Sequence, residues 1–244
     1  MKRIMFRNAL ITLGLFVMIS VSAFATPSTT YWTPCVIDVQ SYSKWHITYD
    51  SYFTVGKNGT EKGDFPTDVG LTVGVLPFKK LNLEVGFDLI EPTDDPIYFN
   101  GKLGVPEGSL FKGSPALNLG IFNVGTKKKT TDYNIVYFLI GRTLPFNLGR
   151  LHAGYYNGNG KTLKSASGEK ENNGFMMGYD KYIYKDKIML AADYASGKNV
   201  IGGGGVGLYY FFTKDITLLV GPVWFNDQDL NGAMKWTIQL DINF

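Results

Sequence analysis

Met234-Lys235-Trp236-Thr237-Ile238-Gln239-Leu240-Asp241-Ile242-Asn243-Phe244 is the stretch whose reading decides the fold. Trp236, Ile238, Leu240, Ile242 and Phe244 alternate without a slip against Lys235, Thr237, Gln239, Asp241 and Asn243. Successive side chains of a strand point to opposite faces, so this strand is apolar on one side and polar on the other. An unpaired strand edge is a template for aggregation. Pairing the last strand with the first, to close a barrel, removes that edge.

Working upstream, about twelve amphipathic segments can be marked from residue 42 onward. They run near 42–56, 67–77, 80–90, 97–105, 115–125, 132–144, 148–157, 174–184, 187–196, 200–212, 216–226 and 234–244. Most have the ~9–11 residues that a tilted strand needs to cross a bilayer. The links between them alternate in length. Pro77-Phe78-Lys79-Lys80, Pro145-Phe146-Asn147, Lys185-Asp186-Lys187 and Thr213-Lys214-Asp215 are tight, and the links at 57–66, 91–96, 126–131, 158–173, 196–199 and 227–233 are generally longer and polar. Membrane barrels have short turns at the periplasmic end and longer loops outside. The link 105–114 departs from this pattern as a long turn on the short-turn side.

Alternation alone also fits a soluble barrel, with its apolar face inside. Such barrels have roughly eight strands around a filled core or a ligand cavity. Twelve strands enclose too wide a tube for that, so the apolar face is expected outward, against lipid. Aromatic residues gather near strand ends, as at Tyr155, Tyr156, Tyr182, Tyr184 and Trp224, where interfacial girdles belong. The expected fold is therefore an all-β, transmembrane, antiparallel up-and-down β-barrel of about twelve strands over 42–244.

The start of the chain is consistent with export. Lys2, Arg3 and Arg7 precede an apolar run from Ala9 to Val21, and Ala23-Phe24-Ala25 fits a cleavage site. Residues 1–25 read as a secretory signal peptide, with a membrane anchor as the alternative. Residues 26–41 are expected to form an extended periplasmic segment. The chain holds 24 basic and 21 acidic residues, and without the leader the two signs balance, which removes any nucleic-acid reading. Cys35 is the only cysteine, so no intramolecular disulfide is possible.

A final amphipathic strand that ends in an aromatic residue resembles the C-terminal signal of bacterial outer-membrane β-barrels. Trp236, Ile238, Leu240, Ile242 and Phe244 carry that resemblance. It implies recognition by the barrel-assembly machinery and residence in the outer membrane of a Gram-negative-type bacterium. Matched to the strands and turns, the whole looks like the small monomeric porins and solute-specific channels.

Strand parity assigns an inward polar face. It carries Lys44, His46, Asp50, Glu84, Asp88, Asn100, Lys102, Arg150, His152, Asp180, Asp193, Lys235 and Asp241. Ladders of both signs in a lumen can align a solute and set ion preference. The alternative is that these charges pair across the wall of a plugged interior. Strand 132–144 is ambiguous, because Arg142 shares a face with Val136, Phe138 and Ile140.

Gly202 to Gly207 contain a formal G-x-G-x-x-G, but a strand rather than a helix follows, so no nucleotide loop is expected. With Val206, Leu208 and Tyr210 outward, Gly203, Gly205 and Gly207 leave a smooth patch of inner wall. A loop or the 26–41 segment is expected against it. His46 and His152 lack the serine neighbour of a lipid hydrolase and make a weak case for metal. Catalytic residues, metal and cofactor are therefore not expected.

Lys127, Lys128 and Lys129, with the 158–173 loop, make the outer rim basic, and lipopolysaccharide phosphates are a plausible partner beside the membrane lipid. The favoured function is passive diffusion of a small hydrophilic solute or ion. The alternatives are a closed structural or adhesive barrel and, third, a lipid-modifying hydrolase.

Overall fold

The computed structural model describes residues 31–55 and 63–244, so the expected leader at 1–25, the start of the 26–41 segment and part of the first loop lie outside the described residues. Twelve strands follow one another: β1 (Trp45–Phe53), β2 (Thr67–Gly74), β3 (Asn82–Glu91), β4 (Ile97–Val105), β5 (Ala116–Gly125) and β6 (Asp132–Thr143). The second half comprises β7 (Arg150–Asn157), β8 (Asn173–Tyr184), β9 (Ile188–Ala195), β10 (Gly203–Phe211), β11 (Ile216–Phe225) and β12 (Lys235–Asn243). Each pairs antiparallel with its sequence neighbours, and β12 pairs with β1 to close the ring. Among the described residues no strand edge is left over.

The closing seam runs from His46 opposite Asn243 to Phe53 opposite Trp236. It is extended by reciprocal backbone bonds between Trp45 and Phe244, at 2.9 and 3.0 Å. The terminal strand is thus bonded through its last residue.

The barrel is inside out. Phe138, Leu119 and Met177 of the outer face are about half exposed, while Lys102, Lys235, Asp180 and Asp241 of the inner face are almost wholly buried. Hydrocarbon accepts such an outer surface, and a closed ring satisfies every strand backbone as lipid requires. No described helix is long and apolar enough to cross a membrane, so strands would have to do so.

One end carries the shorter turns and the other the longer loops. The 106–115 link, long for its end, folds on itself through Gly108 N to Ser114 O, Ser109 N to Pro106 O and Ser114 N to Phe111 O. Its Glu107 accepts hydrogen bonds from Thr143 N and Oγ1 at 3.0 and 2.8 Å. Arg142 lies exposed beside it, 4.0 Å from Glu107, so its place on an apolar face reflects the rim of the barrel. The long link is a brace between two neighbouring turns.

A bulge breaks the register between β5 and β6 beside Asn123 and Asn134, both in the left-handed conformation that asparagine tolerates. Beyond it β6 turns Ile135, Tyr137 and Leu139 inward and Val136, Phe138 and Ile140 outward. This strand is apolar on both faces, hence its ambiguity in sequence.

Candidate functional site: the lumen and its internal segment

Residues 31–41, read from sequence as part of an extended periplasmic segment and as one candidate cover for the glycine patch, run inside the barrel, with Tyr31, Thr33, Cys35, Val36, Ile37 and Gln40 all buried. The reason is a matched set of partners on the wall. Asp193 of β9 accepts from the backbone N–H groups of Tyr31, Trp32 and Thr33 at 3.2, 2.9 and 2.8 Å, and from Thr33 Oγ1 at 3.2 Å. Such charge-assisted bonds are stronger than neutral ones. Gln239 donates to Tyr31 O at 2.7 Å, and the Trp32 indole donates to Ile201 O at 2.9 Å.

The tyrosine ring occupies the smooth patch marked in the sequence. Gly205 and Gly207 of β10 and Gly221 of β11 meet Tyr31 so closely that a methyl group on any of them would overlap it. Its hydroxyl donates to Pro222 O at 2.9 Å. Further along, Gly178 lies under the Cys35 carbonyl and Gly141 under Ile37. The inward glycines form a track for the segment.

Charged side chains fasten the lower part. Arg150 makes a two-pronged pair with Asp180, with both bonds at 2.8 Å, and reaches Asp38 of the segment at 2.7 Å. His152 Nε2 stands 3.0 Å from the same Asp180. The Gln40 backbone donates to Glu84 at 2.7 Å, and Glu84 pairs with Lys102 at 3.4 Å. Lys102 and Asn118 both donate to Val36 O. His46 lies between Asp241 and Asn243, at 3.3 and 3.1 Å. Neither histidine hydrogen-bonds a serine among the described residues.

Cys35 is enclosed in this setting rather than held in a periplasmic segment outside the barrel. Burial, then the nearby Asp193 charge, push its thiol well above the usual range, with Lys102 opposing. It stays protonated and unreactive around neutral pH.

Of the remaining inward residues, Asp50 is buried, Asp88 and Asn100 are partly buried, and Lys235 is buried with its ammonium 3.1 Å from Thr54 Oγ1 and 5.2 Å from the centre of the Phe65 ring. Lys44 departs from the expectation. It precedes β1 and is exposed at the rim, because the inward pattern begins only at His46. On the outer rim Lys128 and Lys129 are exposed, but Lys127 is tied to Asp95 at 2.9 Å, which raises its pKa.

The lumen is closed off unevenly. The 158–172 loop sends Leu163 inward to join Cys35, Ile135, Leu139, Tyr156 and Met176 in one apolar cluster. Tyr31 joins Met189, Tyr209, Leu219 and Val223 in a second. Toward the loop end, Trp32 meets Phe225 and Tyr52 edge-on at centroid distances of 5.2 and 5.5 Å, and Phe65 lies against the same group. Beside β1 to β4 a cavity of about 390 Å³ remains. Asp68 on its wall joins the inward charged set beyond those assigned by strand parity, since β2 alternates Val69, Leu71 and Val73 outward against Asp68, Gly70 and Thr72 inward.

This architecture has counterparts among solved structures. The KdgM porin aligns with a TM-score of 0.51 and 8% identity, over 82% of this chain and 98% of that one. The shared property is the barrel. An outer membrane channel from Pseudomonas putida F1 aligns at 0.47 and 12% identity, over 90% of this chain and 99% of that one. A triple mutant of the Rhodopseudomonas blastica porin aligns at 0.42 and 10%, over 72% and 55%. No family model and no curated protein matches the sequence.

Proposed function

We propose that this chain is a channel of a Gram-negative-type outer membrane, through which small hydrophilic solutes or ions diffuse passively without cofactor or energy coupling. The observation that carries the reading is the polar, partly open lumen inside an apolar-skinned closed ring, with a cavity of about 390 Å³ beside the charged strands. The 31–41 segment narrows this lumen and sets the bore. In this reading the short-turn end faces the periplasm and the loop end the outside. Residues 1–25 serve as the leader, the terminal strand is read by the barrel-assembly machinery, and Lys128 and Lys129 meet lipopolysaccharide phosphates.

The second reading is a closed structural or adhesive barrel, favoured by the segment filling much of the interior. Planar-bilayer recording of purified, folded protein separates the two. Stable conductance steps are expected. A folded barrel that inserts and passes no current is the closed form.

A further inference from the structure

The remaining cavity is bordered by two kinds of side chain, acidic and aromatic. The antiparallel register sets Asp50 of β1 directly opposite Asp68 of β2. Asp88 of β3 stands opposite Gly70, one inward position along from Asp68. Like charges placed together across strands are destabilising, so this patch calls for positive charge. The lumen's own cations have other partners: Arg150 has Asp38 and Asp180, Lys102 on the same cavity has Glu84, His46 has Asp241 and Asn243, and Lys235 has Thr54 and the Phe65 ring. Among the described residues Asp50 and Asp88 receive only neutral donors, from Thr48 at 2.6 Å and from Asn100 at 2.8 Å. Asp68 Oδ1 is shut off from solvent and accepts no hydrogen bond among the described residues. Asp50, a charged side chain only 6% exposed, borders the same space.

Aromatic rings border the same cavity: Trp32, Tyr52, Phe65, Phe122, Tyr98 and Tyr133, with Tyr52 two residues beyond Asp50 on β1, Tyr98 opposite Asp88, and the Tyr98 and Tyr133 rings stacked 12° apart. Ring faces attract cations. A cavity of about 390 Å³ is far larger than a metal ion, and no group of three acidic, histidine or cysteine side chains among the described residues converges to hold one.

We propose that this cavity binds a small organic cation, an amine or quaternary ammonium with an apolar body, whose charged end meets Asp50, Asp68 and Asp88 while its body lies among the rings. The proposal names the solute class of the channel described above and rests on that reading.

The test is calorimetric titration of the folded, detergent-solubilised full chain with benzyltrimethylammonium, and with benzyl alcohol and benzoate as the neutral and anionic counterparts. Saturable binding of the cation alone is expected. A combined Asp50→Asn, Asp68→Asn and Asp88→Asn variant should bind it at least tenfold more weakly, while Asp186→Asn, in the β8–β9 turn, leaves it unchanged. Equal binding by the triple variant, or benzoate binding as tightly as the cation, overturns the proposal. If the triple variant does not fold, Asp68→Asn alone should weaken binding about threefold, and no change overturns it. Bilayer recordings keep the two readings apart: cation binding without current defeats the channel and leaves the cation site standing.

Discussion

The two sides of the lumen are built on the same pleat and differ in what covers them. Along β6 to β11 the inner face is filled: Ile135, Leu139, Met176, Met189 and Leu219 are buried among the 31–41 segment and Leu163, and Arg150, His152, Asp180 and Asp193 are bonded to one another or to the segment. Along β1 to β4 it carries Asp50, Asp68, Glu84, Asp88 and Lys102, and the cavity lies beside them. Both sides carry charge: where protein covers the wall its charges bond to the segment or to each other, and where space is left Asp50, Asp68 and Asp88 border the cavity.

Asp193 is the strongest point at which to break that contrast. Asp193→Ala removes the acceptor for three backbone N–H groups at once, and each buried donor left unmade costs ~1–3 kcal/mol. Release of the segment is expected, read as new protease cleavage within 31–41 and a several-fold rise in bilayer conductance. Intact protection would show that the glycine track alone holds the segment. Gly205→Leu tests that track from the other side. Its side chain occupies the space of the Tyr31 ring, so the same cleavage and conductance change should follow while the strands stay folded. Unchanged conductance in a folded Gly205→Leu barrel would mean that the segment does not set the bore.

Asp180→Ala acts on the lower fastening. It leaves Arg150 and His152 without their shared carboxylate, and breaking a buried pair costs about 3 kcal/mol. A lowered unfolding midpoint in denaturant is the readout. Cys35 gives a gentler probe. With its thiol held protonated by burial, maleimide labelling between pH 6 and 8 should be at least a hundredfold slower in the folded barrel than in denaturant. Adding Gly205→Leu should restore part of that rate. Lys128→Gln with Lys129→Gln comes last, with stability unchanged within ~0.5 kcal/mol and reduced lipopolysaccharide co-purification as the expected result.

How far the sequence could be read follows the polarity of the inner face. Strands with a polar inner face, such as β1 and β12, alternate cleanly, and β12 spans Lys235–Asn243 against the 234–244 read from the sequence. Where the inner face is itself apolar, alternation fails, as at Ile135, Tyr137 and Leu139 of β6. Gly205 and Gly207 signalled a close neighbour without identifying it, because a glycine records the absence of a side chain and nothing of what fills the gap. Segment 31–41 itself has no periodicity to read. Its place depends on Asp193, Gln239 and Arg150, which lie more than 100 residues away in sequence. Pairwise charge partners across such separations have no local trace.

The seam between β1 and β12 has a kinetic consequence. His46 and Asn243 are 197 residues apart, and every other strand pair joins neighbours along the chain. The eleven remaining strand pairs are hairpins that can zip from their own turns, but this pair has no turn to nucleate it. Loop-closure entropy rises only as the logarithm of length, so the joint is affordable once formed, yet it must await a nearly complete sheet. The ring therefore behaves as a ratchet with one late click: until Trp45 and Phe244 exchange their bonds, the sheet is an open ribbon whose contents can still be rearranged.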